Sequence, residues 1–275
     1  MQTFLDLLTV LLPLLYALSA VNYFVFFTRQ EAFAEKTITP MLMTAVAVHI
    51  TAIVTRAIHF ERPPIVGLGE ALGVIALAVA GVYLYVERVQ RNKNTGAFII
   101  TMAVAVQVVS SALMPRVPSP PPELLADPIF ALHAVIAVLG YSAFTVGAVY
   151  GVMYLLLYRA LKAQQFGLVF QRLPSLDVLA NMGFWASFLG WVALTVTIGL
   201  GALMSLESVP NFYADPKFFT TIVVWLVYGG LVITRFVFHW RGARSVYLAL
   251  GGFTIAVVAM LGSSFLWPSF HSFNT

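Results

Sequence analysis

Long apolar blocks separated by short polar segments dominate the chain. Each block is close to or above the ~20 residues that an α-helix needs to cross a bilayer. We count about eight of them, at residues 4–27, 38–59, 65–87, 96–115, 129–158, 176–204, 217–238 and 243–267. Backbone polar groups must be paired within lipid, so each block is expected to be a helix. The pattern predicts an all-α, polytopic membrane bundle of about eight transmembrane helices.

The composition agrees with this pattern. Of the 275 residues, 60% are hydrophobic and 9% are charged, whereas a soluble domain carries roughly 25% charged residues. We therefore predict a single transmembrane domain over residues 1–275, with four N-terminal spans in 1–115. The first block has Asp6 near its start and no basic residue before it. We expect it to be a retained span rather than a cleaved signal peptide.

The basic residues are divided unevenly between the loops. Eleven of the 15 Lys and Arg residues fall in one set of alternating loops, and four fall in the other set. Because cytoplasmic loops are usually the basic ones, we predict that both termini lie outside a bacterial-type cytoplasmic (inner) membrane. This asymmetry also accounts for the net charge of +4, so no nucleic-acid partner is expected.

The sequence lacks the residues and motifs of several kinds of binding site and active site. The chain has no cysteine, so it can neither attach haem covalently through a C-x-x-C-H motif of its own nor build a thiolate metal site. It contains no P-loop, no Rossmann glycine pattern, no H-E-x-x-H and no nucleophile elbow. We therefore predict no catalytic residues and expect a binding or regulatory protein rather than an enzyme.

Two histidines are predicted at the same outer surface. Asp127 and Pro128 form a helix start, and His133 lies five residues further on, ~7–8 Å into the helix. His271 follows the last span within an aromatic cluster that includes Trp267. Imidazole is the commonest haem-iron ligand, so the pair could hold a haem between them. The alternative is two unrelated interfacial histidines beside an ordinary aromatic belt.

A third histidine lies within the membrane. His49 is near the middle of the second span, where an ionisable group indicates function by default. The alternative is a neutral imidazole bonded to a neighbouring helix. Arg56 lies seven residues on, on the same helix face. It could pair with haem propionates or another anion, or extend to the outer interface. His59 and His239 are expected at the two rims.

An ordered series of short motifs in the second half of the chain resembles the cytochrome c assembly family. The series is His133-Ala-Val-Ile-Ala-Val-Leu-Gly-Tyr141, Tyr154-Leu-Leu-Leu, Leu161-Lys162, Leu173-Pro-Ser-Leu-Asp177, Asp215-Pro-Lys217, Trp225, Tyr228, Thr234-Arg235, Trp240-Arg-Gly242, Gly252-Phe253 and His271-Ser-Phe273. The resemblance covers roughly residues 125–275, which it marks as a haem-binding core, and it is weaker in the first four spans.

This resemblance implies that His133 and His271 are the external axial ligands of a haem. It also implies that Asp215 and Lys217 belong to the external haem site, with Lys217 or Arg56 meeting the propionates and Trp267 in an apolar wall. His49 matches the histidines that hold haem within the spans of family members. Their usual partner just before Thr-Arg is replaced here by Ile233.

One departure from the family pattern narrows the expected role. Synthases and haem-delivery members carry a tryptophan-rich external segment before Asp-Pro-Lys, whereas residues 209–215 of this chain contain Phe212 and Tyr213 but no tryptophan. The large external domain of a full synthase is missing as well. The chain looks more like the eight-span, HemX-like branch, whose members are linked to haem binding and to control of haem synthesis.

Three functions follow as hypotheses. In the first, the chain binds haem, expected to be b-type and non-covalent, and handles, relays or senses it at the outer face of the membrane. In the second, it belongs to a complex that attaches haem to apocytochromes. In the third, it is a haem-free transporter or ion-pathway subunit with His49 and Arg56 along a polar route. The expected partners are haem, the lipid bilayer, and other membrane subunits or proteins of haem biosynthesis or cytochrome maturation.

Overall fold

The computed structural model describes residues 1–63, 65, 67–90, 92–115, 128–208 and 216–265. Within these residues the regular structure is entirely helical. The helices are α1 (Gln2–Arg29), α2 (Ala32–Phe60), α3 (Leu68–Gln90), α4 (Gly96–Ala112), α5 (Pro128–Lys162), α6 (Leu168–Arg172), α7 (Leu176–Ser208), α8 (Pro216–Phe236) and α9 (Ala243–Phe265).

The predicted polytopic helical bundle is confirmed. Each of the eight apolar blocks forms a helix, and seven of the helices are long and apolar enough to cross a membrane. The eighth, α4, has 17 residues and a length of ~26 Å. The sequence did not predict α6, a five-residue helix in the polar segment between α5 and α7.

The chain divides into two compact units. The first contains α1 to α4 together with α6. Here α1 packs against α2 and α4, and α3 packs against α2 and α4. The interior of this unit contains large phenol rings as well as aliphatic side chains, because Tyr16, Tyr23 and Tyr83 are all at most 1% exposed. Buried hydroxyls need partners, so these rings indicate a polar interior.

The second unit contains α5, α7, α8 and α9. The most extensive packing is between α5 and α7, and α9 packs against α5, α7 and α8. Phe144 on α5 stacks on Tyr228 on α8, with ring centroids 3.9 Å apart and planes 11° from parallel. Phe144 is fully buried, so this stacked pair fixes the centre of the unit.

Glycines allow α5 and α7 to approach closely. A Cβ added to Gly140 would lie 3.4 Å from the carbonyl oxygen of Gly190, and one added to Gly147 would lie 3.1 Å from that of Gly183. Gly140 and Gly147 are seven residues apart, as are Gly183 and Gly190, so each pair lies on one helix face, two turns apart. We call the contact of these two faces the glycine seam. Small residues of this kind let membrane helices pack backbone to backbone.

Gly190 is the position of the glycine seam where an added methyl group would meet an aromatic ring. A Cβ at Gly190 would lie 2.6 Å from the ring of Phe144, which cannot move away from Tyr228 easily. We expect Gly190→Ala to destabilise the second unit by about 1–3 kcal/mol through overpacking. Thermal unfolding in detergent, followed by tryptophan emission, measures this because all five tryptophans lie between residues 185 and 267.

Gly199 is the matched control on the same helix. It is exposed, and a Cβ there would meet nothing within 4 Å. Gly199→Ala should be neutral or stabilising by up to about 1 kcal/mol, since alanine favours the helix more than glycine does. Equal midpoints for the two variants would contradict the role assigned to the seam.

Candidate functional site

His133 lies on the same face of α5 as the glycine seam. It precedes Gly140 by seven residues, and on α7 Thr197 follows Gly190 by seven. Two helices that cross backbone to backbone at Gly140 and Gly190 therefore bring residues 133 and 197 opposite each other two turns further along. The structure shows this contact: Nδ1 of His133 is 2.9 Å from the carbonyl oxygen of Thr197.

This hydrogen bond fixes the tautomer of His133. A carbonyl oxygen only accepts, so the proton of a neutral imidazole is on Nδ1 and the lone pair is on Nε2. Metal-bound histidines usually donate their other ring N–H to a carbonyl or carboxylate, which orients the ring. The ring of Phe130, 5% exposed and one turn earlier, stacks beside the imidazole with centroids 6.1 Å apart. His133 thus has the tautomer and support of a haem ligand.

The remaining residues of the predicted outer site are only partly described. Lys217 is in the first turn of α8, partly buried, and its carbonyl accepts hydrogen bonds from the hydroxyls of Thr220 and Thr221 at 3.1 and 2.7 Å. His271, Asp215 and Trp267 lie outside the described residues, so the pairing of His133 with His271 stays a prediction. Among the residues that the structure does describe, no group of three or more His, Cys, Asp or Glu could hold a metal ion.

His49 is enclosed in the first unit. It is 2% exposed, and its Nδ1 is 3.1 Å from the hydroxyl oxygen of Tyr16 on α1. Gly73 of α3 faces the other side of the ring, where a Cβ would lie 3.7 Å from Nε2. The sequence left two roles open for His49, a functional ionisable group or a neutral imidazole bonded to a neighbouring helix. The hydrogen-bond contact that the second role requires is present.

Arg56 is 8% exposed, and its charge is paired inside the protein. Its Nε donates to Oε1 of Glu70 at 3.0 Å, and its Nη2 donates to the carbonyl of Pro115 at 2.7 Å. Arg62 donates to the same carboxylate oxygen at 2.6 Å. Two guanidinium groups therefore share one buried carboxylate, which ties the ends of α2, α3 and α4 together.

The electrostatics of this Arg56–Glu70–Arg62 cluster are set by burial. Arg62 is 6% exposed and Glu70 is 3% exposed. Burial lowers the pKa of the Arg62 guanidinium, Glu70 opposes that shift, and Arg56 adds to it. Such a cluster is stable only while its charges remain together, because an unpaired charge at this depth carries a desolvation cost of several kcal/mol.

The sequence pattern did not lead us to predict a role for two buried carboxylates. Glu70 and Glu87 fall within the apolar block 65–87, and Glu87 is 4% exposed. The hydroxyls of Tyr23 and Thr39 both donate to the Glu87 carboxylate. Their positions in an apolar block could have identified them, because a carboxylate in such a block is as costly as the mid-span histidine, His49.

The sequence is similar to a known family and to several known proteins. The family model described as Cytochrome C assembly protein matches residues 7–271, so the likeness extends through the first four spans as well. A cytochrome c biogenesis protein CcsA from Heterosigma akashiwo is 26% identical over 77% of this chain and 76% of its own length. A protein HemX from Brevibacillus brevis is 25% identical over 94% of both chains. A CcsA from Microcystis aeruginosa is 23% identical over 77% of this chain and 79% of its own length.

The buried cluster predicts a large difference between two Glu→Gln substitutions. Glu70→Gln leaves Arg56 and Arg62 buried without a counter-charge, and we expect a loss of about 3–5 kcal/mol in unfolding free energy. Glu31→Gln removes the exposed pair with Arg29, whose side chains are 47% and 73% exposed, and should cost no more than about 1 kcal/mol. Thermal loss of helical circular dichroism in detergent measures both. A Glu70→Gln midpoint as high as that of Glu31→Gln would contradict this account.

Proposed function

The chain belongs to the cytochrome c assembly protein family, and from that premise we propose that it is a haem-binding integral membrane protein. It handles, relays or senses haem at the outer face of a bacterial-type cytoplasmic membrane, with both termini outside. His133 and His271 supply the two axial imidazoles. The haem is b-type and held without a covalent bond, which fits a chain that has no cysteine.

One observation carries this proposal: the hydrogen bond from Nδ1 of His133 to the Thr197 carbonyl, 2.9 Å long. It orients the ring and leaves the lone pair on Nε2, the state in which imidazole binds iron. The His133 ring is carried by a helix rather than by a loop. Two turns away, the glycine seam holds that helix against α7.

The other residues of the site have subordinate roles in the proposal. Lys217, in the first turn of α8, pairs with propionates, Asp215 belongs to the same haem site, and Trp267 provides an apolar wall. His49 and Arg56 stay predictions as haem contacts, because their observed partners are Tyr16 and Glu70. A haem with two imidazole ligands supplies a coordinated iron without an open position, so oxygen activation is not part of the function.

A second candidate is membership of a complex that attaches haem to apocytochromes. The relatives named cytochrome c biogenesis protein favour it, since one of them is 26% identical to this chain and the HemX relative is 25% identical. We prefer the handling or sensing role because residues 209–215 contain no tryptophan. In either case other membrane subunits or maturation proteins are the expected partners.

The visible spectrum of the purified protein tests the proposed ligands. Reconstituted with haem, the full chain should show the Soret and α/β bands of low-spin, bis-histidine haem. His133→Ala and His271→Ala should each abolish these bands or shift them to a high-spin form, because each removes one axial ligand.

His59→Ala is the matched control. His59 is exposed at the end of α2, so its loss should leave the spectrum of the wild-type protein unchanged. Wild-type spectra in both the His133→Ala and the His271→Ala variants would reject the ligand assignment.

A deletion strain separates the two candidate roles. We expect the covalent cytochrome c yield, measured by haem staining of membrane proteins, to be unchanged in a strain that lacks this protein, while cellular haem or its precursors change. Loss of covalent cytochrome c, restored by the wild-type gene, would instead favour the attachment complex.

A further inference from the structure

The first unit carries buried polar groups from one end of its helices to the other. Glu70 and Glu87 lie on the same helix, 17 residues apart, which corresponds to ~26 Å along its axis. That separation approaches the ~30 Å thickness of a bilayer's hydrocarbon core. His49 lies between these two levels, because α2 contacts Glu87 through Thr39 and Glu70 through Arg56.

A cavity joins Glu70 to His49. It is lined by all four long helices of the unit, and its polar lining consists of Thr9, His49, Arg56, Glu70, Gln107 and Ser111. It offers about 40 Å³ to the centres of water-sized molecules. A polar cavity of this size has room for ordered water. The space therefore suits water molecules that join Glu70 to His49.

The polarity of the cavity lining supports hydration. Gln107 is 1% exposed, and its Oε1 has no hydrogen-bond partner among the described residues. Its Nε2 donates to the hydroxyl of Ser111 at 3.2 Å, which in turn donates to the carbonyl of Thr9 at 2.8 Å. A buried amide oxygen of this kind normally accepts from water.

Hydroxyl groups continue the series beyond His49. Tyr16, Ser19 and Tyr23 follow one another on the inner face of α1, and each is at most 1% exposed. Tyr16 contacts His49, and Tyr23 donates to Glu87. No described residue forms an ion pair with Glu87, so its carboxylate is held by hydroxyls alone. Beside it, Tyr83 donates to the carbonyl of Lys93 in the loop that ends the bundle, at 3.3 Å.

We propose that the first unit conducts protons between its two ends along this series. The route is the cavity beside Glu70, the His49–Tyr16 pair, Ser19, and the cluster of Tyr23, Glu87 and Thr39. It goes beyond the proposed haem function and does not depend on it. For each proton that enters at one end, one leaves at the other, and the driving force is the proton gradient itself.

The chemistry of each group suits its place in the route. An imidazole accepts a proton at one ring nitrogen and releases one from the other, so His49 links the cavity on its Nε2 side to Tyr16 on its Nδ1 side. Chains of carboxylates and histidines within spans are the usual means of proton transfer in membranes. The slowest step is the segment around Ser19, because Tyr16 and Tyr23 are ~10 Å apart along α1. The Ser19 hydroxyl between them donates to the carbonyl of Leu15 at 2.9 Å, so it must rotate away from that carbonyl to pass a proton on.

The competing explanation is that these hydrogen bonds only hold the helices together. Proton flux into vesicles separates the two. The full chain is reconstituted into liposomes that contain a pH-sensitive dye, and valinomycin with a potassium gradient sets an inside-negative potential. The initial rate of internal acidification should exceed that of protein-free vesicles. No added haem is needed.

Two substitutions should block the flux. His49→Gln keeps a polar side chain but removes the titratable group that takes up and releases the proton, and Glu87→Gln does the same at the other end. Each should lower the rate by at least about tenfold, as expected when a positioned proton carrier is lost. His59→Gln, the same change on an exposed residue of the same helix, should retain the wild-type rate.

A third variant tests the cavity without touching a titratable group. A Cβ on Gly73 would lie 3.1 Å from Oγ of Ser110 and 3.7 Å from Nε2 of His49, so Gly73→Ala narrows the water space and should also slow the flux. Where His49→Gln does not yield a folded protein by circular dichroism and gel filtration, Tyr16→Phe, which removes one oxygen, replaces it with the same expectation.

A wild-type rate no higher than that of protein-free vesicles would overturn the inference. So would a rate in folded His49→Gln equal to that of the wild type, because the polar groups would then be structural only. Both flux measurements are made without haem and do not depend on the Soret spectrum. Failure of the proton route therefore leaves the haem proposal standing, and failure of the haem proposal leaves the proton route standing.

Discussion

Every polar group that these helices bring into lipid has to find its partner inside the protein, and that requirement organises both units. The carboxylate of Glu70 meets two guanidinium groups, Glu87 meets two hydroxyls, and His49 meets Tyr16. His133 meets a main-chain carbonyl in the second unit. None of these side chains would be tolerated alone in hydrocarbon. Their pairing fixes which helices are neighbours and how far each is shifted along its axis.

The two units meet this requirement in different ways. In the second unit, glycines bring α5 and α7 together closely enough for a side chain to reach the backbone of the other helix. In the first unit, the side chains of Arg56 and Arg62 converge on the Glu70 carboxylate. A cavity with a partly polar lining lies beside His49 in this unit.

The lengths of the apolar blocks predicted the helices well, but they did not predict which polar side chains bind each other. All eight apolar blocks are helices, because the need to span and self-pair is local to each block. The short α6 was not predicted because five residues in a polar segment are too few to show a helical period. Arg56 was expected to pair with an anion or to extend to the interface, and the observed anion is the carboxylate of Glu70, 14 residues away on the next helix. A partner on another helix is invisible until the register of the helices is known. For His133 the sequence identified the residue but not Thr197, which lies 64 residues further on.

The shortness of α4 has a consequence for the surrounding membrane. Its 17 residues extend ~26 Å, about 4 Å less than the average hydrocarbon core, whereas α1 and α2 have 28 and 29 residues. The apolar residues 113–115, which follow the helix, reduce this difference in apolar length. Hydrophobic mismatch of this kind costs a fraction of a kcal/mol per Å. The cost at α4 is therefore small, and a bilayer with a thinner hydrocarbon core would lower it further.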